Sequence, residues 1–599
     1  MKREIAILLK KTLKSLGIDL KKEEIENLIE IPPSSEIGDY AFPCFFLAKK
    51  FHRFPWDDLQ KKASVYTKEV RVPLRGLKLQ NEGAKKNPHE IALEIKEKIS
   101  DKNFEDIQVL GAYINFFVDK KKFAENIIKE ILKEKENFGR SNIGKKEKTM
   151  IEFSQANTHK AFHMGHIRGT SLGESLARIS EFQRDKVIRA NYQGDTGMHV
   201  AKWIWCYKKY HLKEKIQKDE LWIASIYVDA VKKLSKNEKL QDEVNEINKK
   251  LEERKDKELI KLWKKTREFS LNSLEKIYSE LNTHFDNYFF ESEVEQKGKK
   301  ISNELLKKKI AKKSQGAVIM NLEKYNLGIW VLLRSDGTIL YSGKDLALAK
   351  EKFKKFKIEK NIYVVANEQN LHIQQLFKTL ELMKFKQADK CRHISYGMVR
   401  LPEGKMSSRT GDNILYSDFI KEITNYAKDR IKEGTTKITK RELEKRALAI
   451  SIAAIKYSML KQHSNKNIIF KKEDALNFEG DTGPYLLYSY ARASSILRKS
   501  KNKLNKNNFQ IKNISEHELK LLKKLSQFPE IVLNSYNNLN PSLIANYSYQ
   551  LTQIFNGFYH SCPVINSEQE LFRLALVKSF RYVLKNSLKL LGIEIIEKM

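Results

Sequence analysis

The feature that most restricts the fold is a strand, a polar loop and a helix in immediate succession between residues 149 and 182. Thr149-Met150-Ile151-Glu152-Phe153 is an apolar strand pattern, and a helical pattern runs from about residue 165 to 182. A second strand pattern at 186–190 follows at the distance of a parallel crossover. Strand, crossover helix and parallel strand form the opening unit of a nucleotide-binding α/β sheet. Strand patterns return at 316–322, 329–334, 338–341 and 361–366, after a charged, mostly helical stretch at 207–310. That stretch reads as an insertion between the halves of the sheet.

With 599 residues, the chain exceeds what one hydrophobic core supports. Residues 1–120 mix helices with short strands; in one strand Ile114, Phe116 and Val118 alternate onto a single face. From about residue 440 the pattern is helical, and 447–460 is apolar enough for a buried bundle helix. The expected domains are therefore 1–120, 121–438 and 439–599. The fold class is multidomain α/β: a Rossmann-type parallel-sheet domain with a helical insertion, an α+β N-terminal domain and an all-α C-terminal bundle.

No run of eighteen apolar residues is present, which argues against a membrane span, and the Lys/Glu-rich start is unlike a signal peptide. A cytoplasmic location is the expectation. Cys44, Cys206, Cys391 and Cys562 lack CxxC spacing, so a disulfide framework and a Cys-rich zinc site are not expected. The net charge of +36 is compatible with a polyanion partner, but Lys-, Asn- and Ile-rich composition throughout the chain explains it equally well. Motifs must decide.

His163-Met164-Gly165-His166 lies where the first strand feeds its helix. Two imidazoles and a helix N-terminus can stabilise negative charge building on a phosphate, and Gly165 lets a ligand approach the backbone. Downstream, Lys405-Met406-Ser407-Ser408-Arg409 is flanked by Gly404 and Gly411. A short loop with two cations and two hydroxyls between glycine hinges suits closure over a triphosphate.

Together, these two patches resemble the HIGH and KMSKS signatures of the class I aminoacyl-tRNA synthetases. The surrounding residues resemble the arginyl members: Glu152 to Asn157 and Lys160 before the first signature, Asn191-Tyr192-Gln193-Gly194-Asp195-Thr196-Gly197, and Asp336 to Tyr341 before Asp345. Asn367-Glu368-Gln369-Asn370-Leu371-His372, Gly397-Met398-Val399 and Asp481-Thr482-Gly483-Pro484-Tyr485 match as well. The resemblance covers essentially the whole chain. It implies ATP-dependent formation of arginyl-adenylate, then transfer to the terminal ribose of tRNA(Arg), with Mg²⁺ on the ATP phosphates and no dedicated protein metal site. A guanidinium carries five donors in a plane, so its pocket needs carboxylates and acceptors. The resemblance assigns that task to Glu152, Tyr341 and Asp345. Tyr341 and Asp345 share a face if Tyr341 opens a helix. Asn157 and Gln369 would take the amino acid's amino and carboxyl end.

His163, His166, Lys160 and Lys405 are the expected catalytic residues. Gly165, Met398, Val399, Met406, Ser407 and Ser408 join the two histidines and Lys405 around ATP. The signature's second lysine is Ser408 here, and Lys160 is expected to supply the missing cation. Thr196 stands where the family's GDWG carries an aromatic residue. The resemblance also places Tyr113, Asn115 and Phe117 against tRNA, and Tyr547, Tyr549, Phe555 and Tyr559 offer aromatic rings for the anticodon. A monomer that requires bound tRNA for activation is expected. The cysteinyl enzyme, a rival within class I, is disfavoured by the missing zinc-ligand spacing. An inactive RNA-binding paralogue is disfavoured by the retention of His163, His166 and Lys405. A merely basic RNA-binding scaffold leaves both signatures unexplained.

Overall fold

The computed structural model describes residues 1–51, 87–99, 104–217, 220–402, 415–434, 438–502 and 509–599. Lys405, Met406, Ser407 and Ser408 lie outside these residues. The chain divides into two compact units, Met1–Lys129 with Ile511–Leu522, and Glu130–Gln510 with Lys523–Met599.

In the first unit, β1 (Tyr40–Pro43), β2 (Phe104–Leu110) and β3 (Tyr113–Val118) form an antiparallel sheet in the order β1-β3-β2. Ile114, Phe116 and Val118 are buried, as their alternation requires. Helix Pro88–Glu97 packs on β3, with Ile91, Ala92 and Ile95 turned into the core. The Asp39 carboxylate accepts a hydrogen bond from the Val118 amide at 2.9 Å and so ties the loop before β1 to the end of β3.

The second unit is built on five parallel strands. In chain order these are β4 (Lys148–Glu152), β5 (Lys186–Gln193) and β6 (Asn287–Phe290). A small antiparallel sheet of β7 (Lys312–Ser314), β8 (Ala317–Asn321) and β9 (Ile329–Leu333) intervenes before β10 (Lys360–Ala366) and β11 (Cys391–Tyr396). The spatial order β11-β10-β4-β5-β6 runs outward in opposite directions from β4 and β10. A parallel sheet whose strand order reverses leaves a crevice at the carboxyl ends of the two strands on either side of the reversal. Here those are β4 and β10, and that is where Glu152 ends its strand.

Two local expectations differ from the structure. The range 207–310 is helical in Glu220–Lys236, Gln241–Glu253 and Lys257–Glu280, but it also contains the edge strand β6. Four residues, Asn-Tyr-Phe-Phe, are too few to register as a strand within so charged a range. The expected strand at 338–341 reduces to a single bridge, Leu333 to Ile339. The turn at Gly337 (φ 81°) leads at once into helix Tyr341–Phe356.

The signature helix, Met164–Phe182, is buried along most of its length. Glycines every four residues make one face of it bare. A Cβ on Gly169 would lie 2.7 Å from the Tyr396 hydroxyl, and one on Gly173 only 2.1 Å from the Phe153 ring. The helix therefore seats on the sheet closer than any side chain would permit. Its other face carries the fully buried Glu174, which accepts from Arg178 at 2.6 Å and from Arg189 of β5 at 2.9 Å. Arg189 also reaches Glu181 at 2.6 Å, so each charge in this dry network has a partner.

Helices Lys440–Leu460, Gly483–Lys499, Ser542–Ser561 and Glu570–Leu590 form the C-terminal bundle. Phe555 stacks on Phe580 at 3.7 Å within its core. Tyr547 and Phe555 are buried, which corrects their candidacy for anticodon stacking: both are core residues. Tyr549 is half-buried and Tyr559 is exposed. No helix among the described residues is long and apolar enough to cross a membrane.

Gly173→Ala forces Phe153 out of its place, and overpacking of this kind costs about 1–3 kcal/mol. The expected outcome is an unfolding free energy, from urea titration, lowered by that amount, whereas Gly17→Ala, with open space around it, acts only through backbone strain.

Candidate active site

His163 is the N-cap of the signature helix. Its Nδ1 accepts from the Gly165 amide at 3.2 Å, and the His163 amide donates to Nδ1 of His166 at 3.2 Å. An Nδ1 that accepts leaves the proton of a neutral imidazole on Nε2. The two rings lie 3.9 Å apart, so both present an Nε2–H donor from one helix start. Burial, and then the Lys160 charge, push His163 down to about 4. Burial followed by the charges of His163 and Lys160 lowers His166 well below its ordinary value. Both are neutral donors at physiological pH, and they stand at the positive end of the helix dipole.

The loop from β4 to this helix holds three non-glycine residues at positive φ: Ser154 (73°), Gln155 (55°) and His159 (61°). Left-handed backbone costs roughly 1–2 kcal/mol per residue. Side-chain bonds to helix Lys257–Glu280 offset that cost. Ser154 donates to the Tyr278 hydroxyl at 3.0 Å, the His159 amide donates to Ser270 at 3.1 Å, and Nε2 of His159 contacts Thr266 at 2.9 Å. Lys160 follows, its ammonium 5.5 Å from the Tyr227 ring centre, its pKa lowered by burial and then by Lys202.

At the carboxyl ends of β4 and β10 is a cavity of about 270 Å³. Glu152, Asn157, Tyr341, Asp345 and Gln369 all line it, so the structure brings the five expected arginine contacts together. Tyr341 is the first residue of its helix, which places it and Asp345 on one face. Asn157 fits because Gly194 has no side chain: a Cβ there would lie 2.4 Å from its Oδ1.

Four further lining groups were not expected: Lys352, Glu291, His372 and Tyr192. The fully buried Lys352 is ion-paired with Glu152, and Asp345 contacts Nε2 of His372 at 2.6 Å. Glu291 is held by Lys344 at 2.9 Å. Asp345 is thus the cavity carboxylate whose partner is an imidazole rather than a lysine. The Tyr192 hydroxyl is buried with no hydrogen-bond partner among the described residues. Lys352 was detectable, since Tyr341, Asp345, Leu348 and Lys352 follow the helical period on one stripe. Thr196 donates to Glu295 at 2.9 Å, which is also bound by Lys344 at 3.0 Å, so the departure from an aromatic residue is filled by a polar anchor.

Both ends of the segment carrying Lys405 meet the signature helix. On one side, Arg168 donates to the carbonyls of Gly397 at 2.7 Å and Met398 at 3.4 Å, next to the buried Val399 of the short strand β12 (Val399–Arg400). β12 pairs with β13 (Ile468–Ile469). On the other side, Leu415 bridges to His163, and the Tyr416 amide donates to the Phe162 carbonyl at 3.0 Å.

In the C-terminal bundle an open groove of about 870 Å³ is lined by Arg446, Arg492, Arg498, Lys499 and Lys598 together with Tyr488 and Tyr559. Arg492 lies over both tyrosine rings, at 4.6 and 5.1 Å. In the first unit, Tyr113 and Phe117 are half-buried, whereas Asn115 is buried against Gly38.

A parallel sheet with this strand order, whose first crossover helix opens on HxGH beside a cavity at the order reversal, is the arrangement of a class I aminoacyl-tRNA synthetase. Residues 127–472 match the family described as tRNA synthetases class I (R), catalytic domain. Residues 486–599 match the DALR anticodon binding domain, and 3–63 with 77–118 match the arginyl tRNA synthetase N terminal domain. The arginine–tRNA ligase of Clostridium acetobutylicum is 37% identical over 97% of this chain and 98% of its own. That of Clostridium botulinum (strain Alaska E43 / Type E3) is 36% identical over 100% of both. The fold is that of the Thermus thermophilus arginyl-tRNA synthetase, with a TM-score of 0.78 at 24% identity over 100% of both chains. The Plasmodium falciparum enzyme gives 0.76 at 23% identity, over 100% of this chain and 99% of that one. The chain belongs to the arginyl-tRNA synthetases, the family of arginine–tRNA ligases.

Burial also lowers His159 and His199 to about 3, with Arg267 the second cause at His159 and Lys160 at His199. These folded values lie below the ordinary 6.5, so an unfolded chain binds protons that the folded one refuses. The resulting stability is fully present above pH 6.5 and is lost as pH falls from there toward 3–4, at about 1.4 kcal/mol per pKa unit for each histidine. Urea midpoints at pH 7.5 and pH 5 should therefore fall steeply, and His199→Gln should flatten the slope between them.

Proposed function

We propose that the chain attaches L-arginine to tRNA(Arg) in two steps, forming arginyl-adenylate from ATP and then transferring the arginyl group to the tRNA's terminal ribose. The observation that carries this reading is the gathering of Glu152, Asn157, Tyr341, Asp345 and Gln369 in one cavity at the carboxyl end of β4, the strand that leads into the helix capped by His163. The arginine guanidinium lies between Asp345, Tyr341 and Glu152, a planar fork against two carboxylates and a ring. Lys352 already holds Glu152, so Asp345 supplies most of the uncompensated charge. Asn157 and Gln369 position the amino and carboxyl groups, which turns the carboxylate toward the α-phosphate of ATP.

The carboxylate oxygen attacks that phosphorus in line and diphosphate leaves. The Nε2–H groups of His163 and His166 donate to the charge that builds on phosphate, with Gly165 leaving room for it. Lys160 and Lys405 neutralise the triphosphate, and Met398, Val399, Met406, Ser407 and Ser408 complete the ATP site. Mg²⁺ accompanies the phosphates. The ends of the Lys405 segment at Met398 and Leu415 support this assignment, because both are fastened to the helix that carries the histidines.

The tRNA contacts follow from exposure and charge. The groove around Arg492 and Tyr559 takes the anticodon region, where guanidinium and rings can hold phosphates and stack on bases. Tyr113 and Phe117 contact tRNA from the N-terminal domain, and Asn115 shapes the strand beneath them. The protein acts as a cytoplasmic monomer and requires bound tRNA for activation.

Charging of tRNA with each labelled amino acid in turn tests the reading; attachment of an amino acid other than arginine would sink it. Asp345→Asn should raise KM for arginine about 10–100-fold, the loss of one charge-assisted hydrogen bond. Lys160→Ala should slow adenylate formation far more than it weakens arginine binding, measured by diphosphate exchange in the presence of tRNA. Arg492→Ala should weaken tRNA binding and reduce its salt slope by roughly 0.7–0.9, with KM for arginine unchanged.

A further inference from the structure

Three of the chain's metal-binding side chains converge outside the cavity, in the helical layer after β5. Cys206 lies in helix Met198–Tyr210, His211 immediately follows that helix, and Asp229 lies in helix Glu220–Lys236. Their donor atoms, a sulfur, an imidazole nitrogen and a carboxylate oxygen, all lie within 4.8 Å of one another. Asp229 Oδ2 is 3.4 Å from the Cys206 sulfur and 3.0 Å from Nε2 of His211. A tetrahedral zinc ion with ligands at 2.0–2.3 Å needs donor pairs about 3.3–3.8 Å apart, so these gaps already approach the edges of such a site.

The surroundings orient the donors. The other ring nitrogen of His211 bonds to Glu214 at 2.7 Å, and the second oxygen of Glu214 accepts from Trp222 Nε1 at 3.0 Å. A carboxylate holding the far nitrogen of a histidine is the usual support for a metal-ligating imidazole. Lys233 approaches Asp229 through the other oxygen, Oδ1, at 3.5 Å and leaves Oδ2 to the cluster.

We infer that Cys206, His211 and Asp229 bind one Zn²⁺ per chain, with solvent as the fourth ligand. The mixed sulfur, nitrogen and oxygen set fits zinc, and the Cys206 proton is released to solvent as the thiolate forms. The ion fastens helix Met198–Tyr210 to helix Glu220–Lys236. The second of these helices also carries Glu220, which accepts from the Phe162 amide at 3.0 Å, and Tyr227, beneath Lys160. Zinc therefore steadies the wall behind the histidine signature without touching substrate. The absence of CxxC spacing conceals the site, because its ligands come from two helices and a turn.

The full chain, stripped of metal and titrated with Co²⁺ alone, provides the test. One cobalt per chain with a thiolate-to-cobalt absorption band is expected, and Zn²⁺ should displace it. The band should disappear in Cys206→Ser and in His211→Gln and persist in Cys562→Ser. Glu214→Gln should weaken affinity about 10–100-fold. His211 is partly exposed, so its variant carries the test should the buried Cys206→Ser fail to fold. Binding below one equivalent, or a band that survives His211→Gln, would overturn the assignment.

Discussion

The close seating of helix Met164–Phe182 on the sheet is the contact on which the rest of the catalytic unit depends. Gly169 and Gly173 remove the atoms that would hold the helix away from Tyr396 and Phe153. That approach sets the height of the helix N-terminus above the crevice, and hence the position of both signature histidines. The opposite face is fixed by charge: Glu174 draws Arg178 and Arg189 together, while Ser175 donates to the Leu590 carbonyl at 2.8 Å near the chain's end. Lys456, buried and lowered to about 7 by burial and by Arg178, donates to the Gly592 carbonyl at 2.9 Å. One helix therefore seats on the sheet through Gly169 and Gly173 and meets the end of the C-terminal bundle through Ser175 and Arg178.

The cavity handles buried charge by pairing it. Lys352 with Glu152 and Lys344 with Glu291 hold lining carboxylates that would otherwise be desolvated without a counter-charge. Each pair is stiff, because losing one partner strands the other charge. Asp345 differs in its partner. An imidazole, unlike an ammonium, is a single flat donor, and the ring of Tyr341, half exposed, lies tilted against it at 4.5 Å. A guanidinium entering over Tyr341 can bond the carboxylate without displacing a lysine. On the proposed reading, selectivity for a planar cation arises from a pocket whose other charges are paired.

Much of this was legible in the sequence because it depends on short-range pattern. The β4–helix–β5 unit, the alternation of Ile114, Phe116 and Val118, and the buried run at 447–460 each follow from periodicity. Glu152, Asn157, Tyr341, Asp345 and Gln369, which the resemblance assigns to arginine, lie far apart in the chain, and the structure gathers them in one cavity. What was not legible depends on neighbours far apart in the chain. The helical stripe shows Lys352 but not its pairing with Glu152 across 200 positions, β6 is stabilised by pairing with β5 rather than by its own four residues, and Tyr547 and Phe555 look like stacking rings until the bundle buries them. Asp229 and Cys206 belong to the same class, joined by a helix pair and not by spacing.

The positive charge of the chain has a similar two-level explanation. A net charge of +36 gives a long-range field that attracts polyanions but cannot orient one. Orientation requires cations held in place, and Arg492 is so held: Asn556 accepts from it at 2.8 Å, while Tyr488 and Tyr559 flank it. Its guanidinium keeps one plane, so a phosphate or base that meets it is met in one geometry. A surface lysine contributes to the rate of encounter, whereas an arginine fixed between two rings contributes to register, and on the proposed reading the C-terminal groove combines the two.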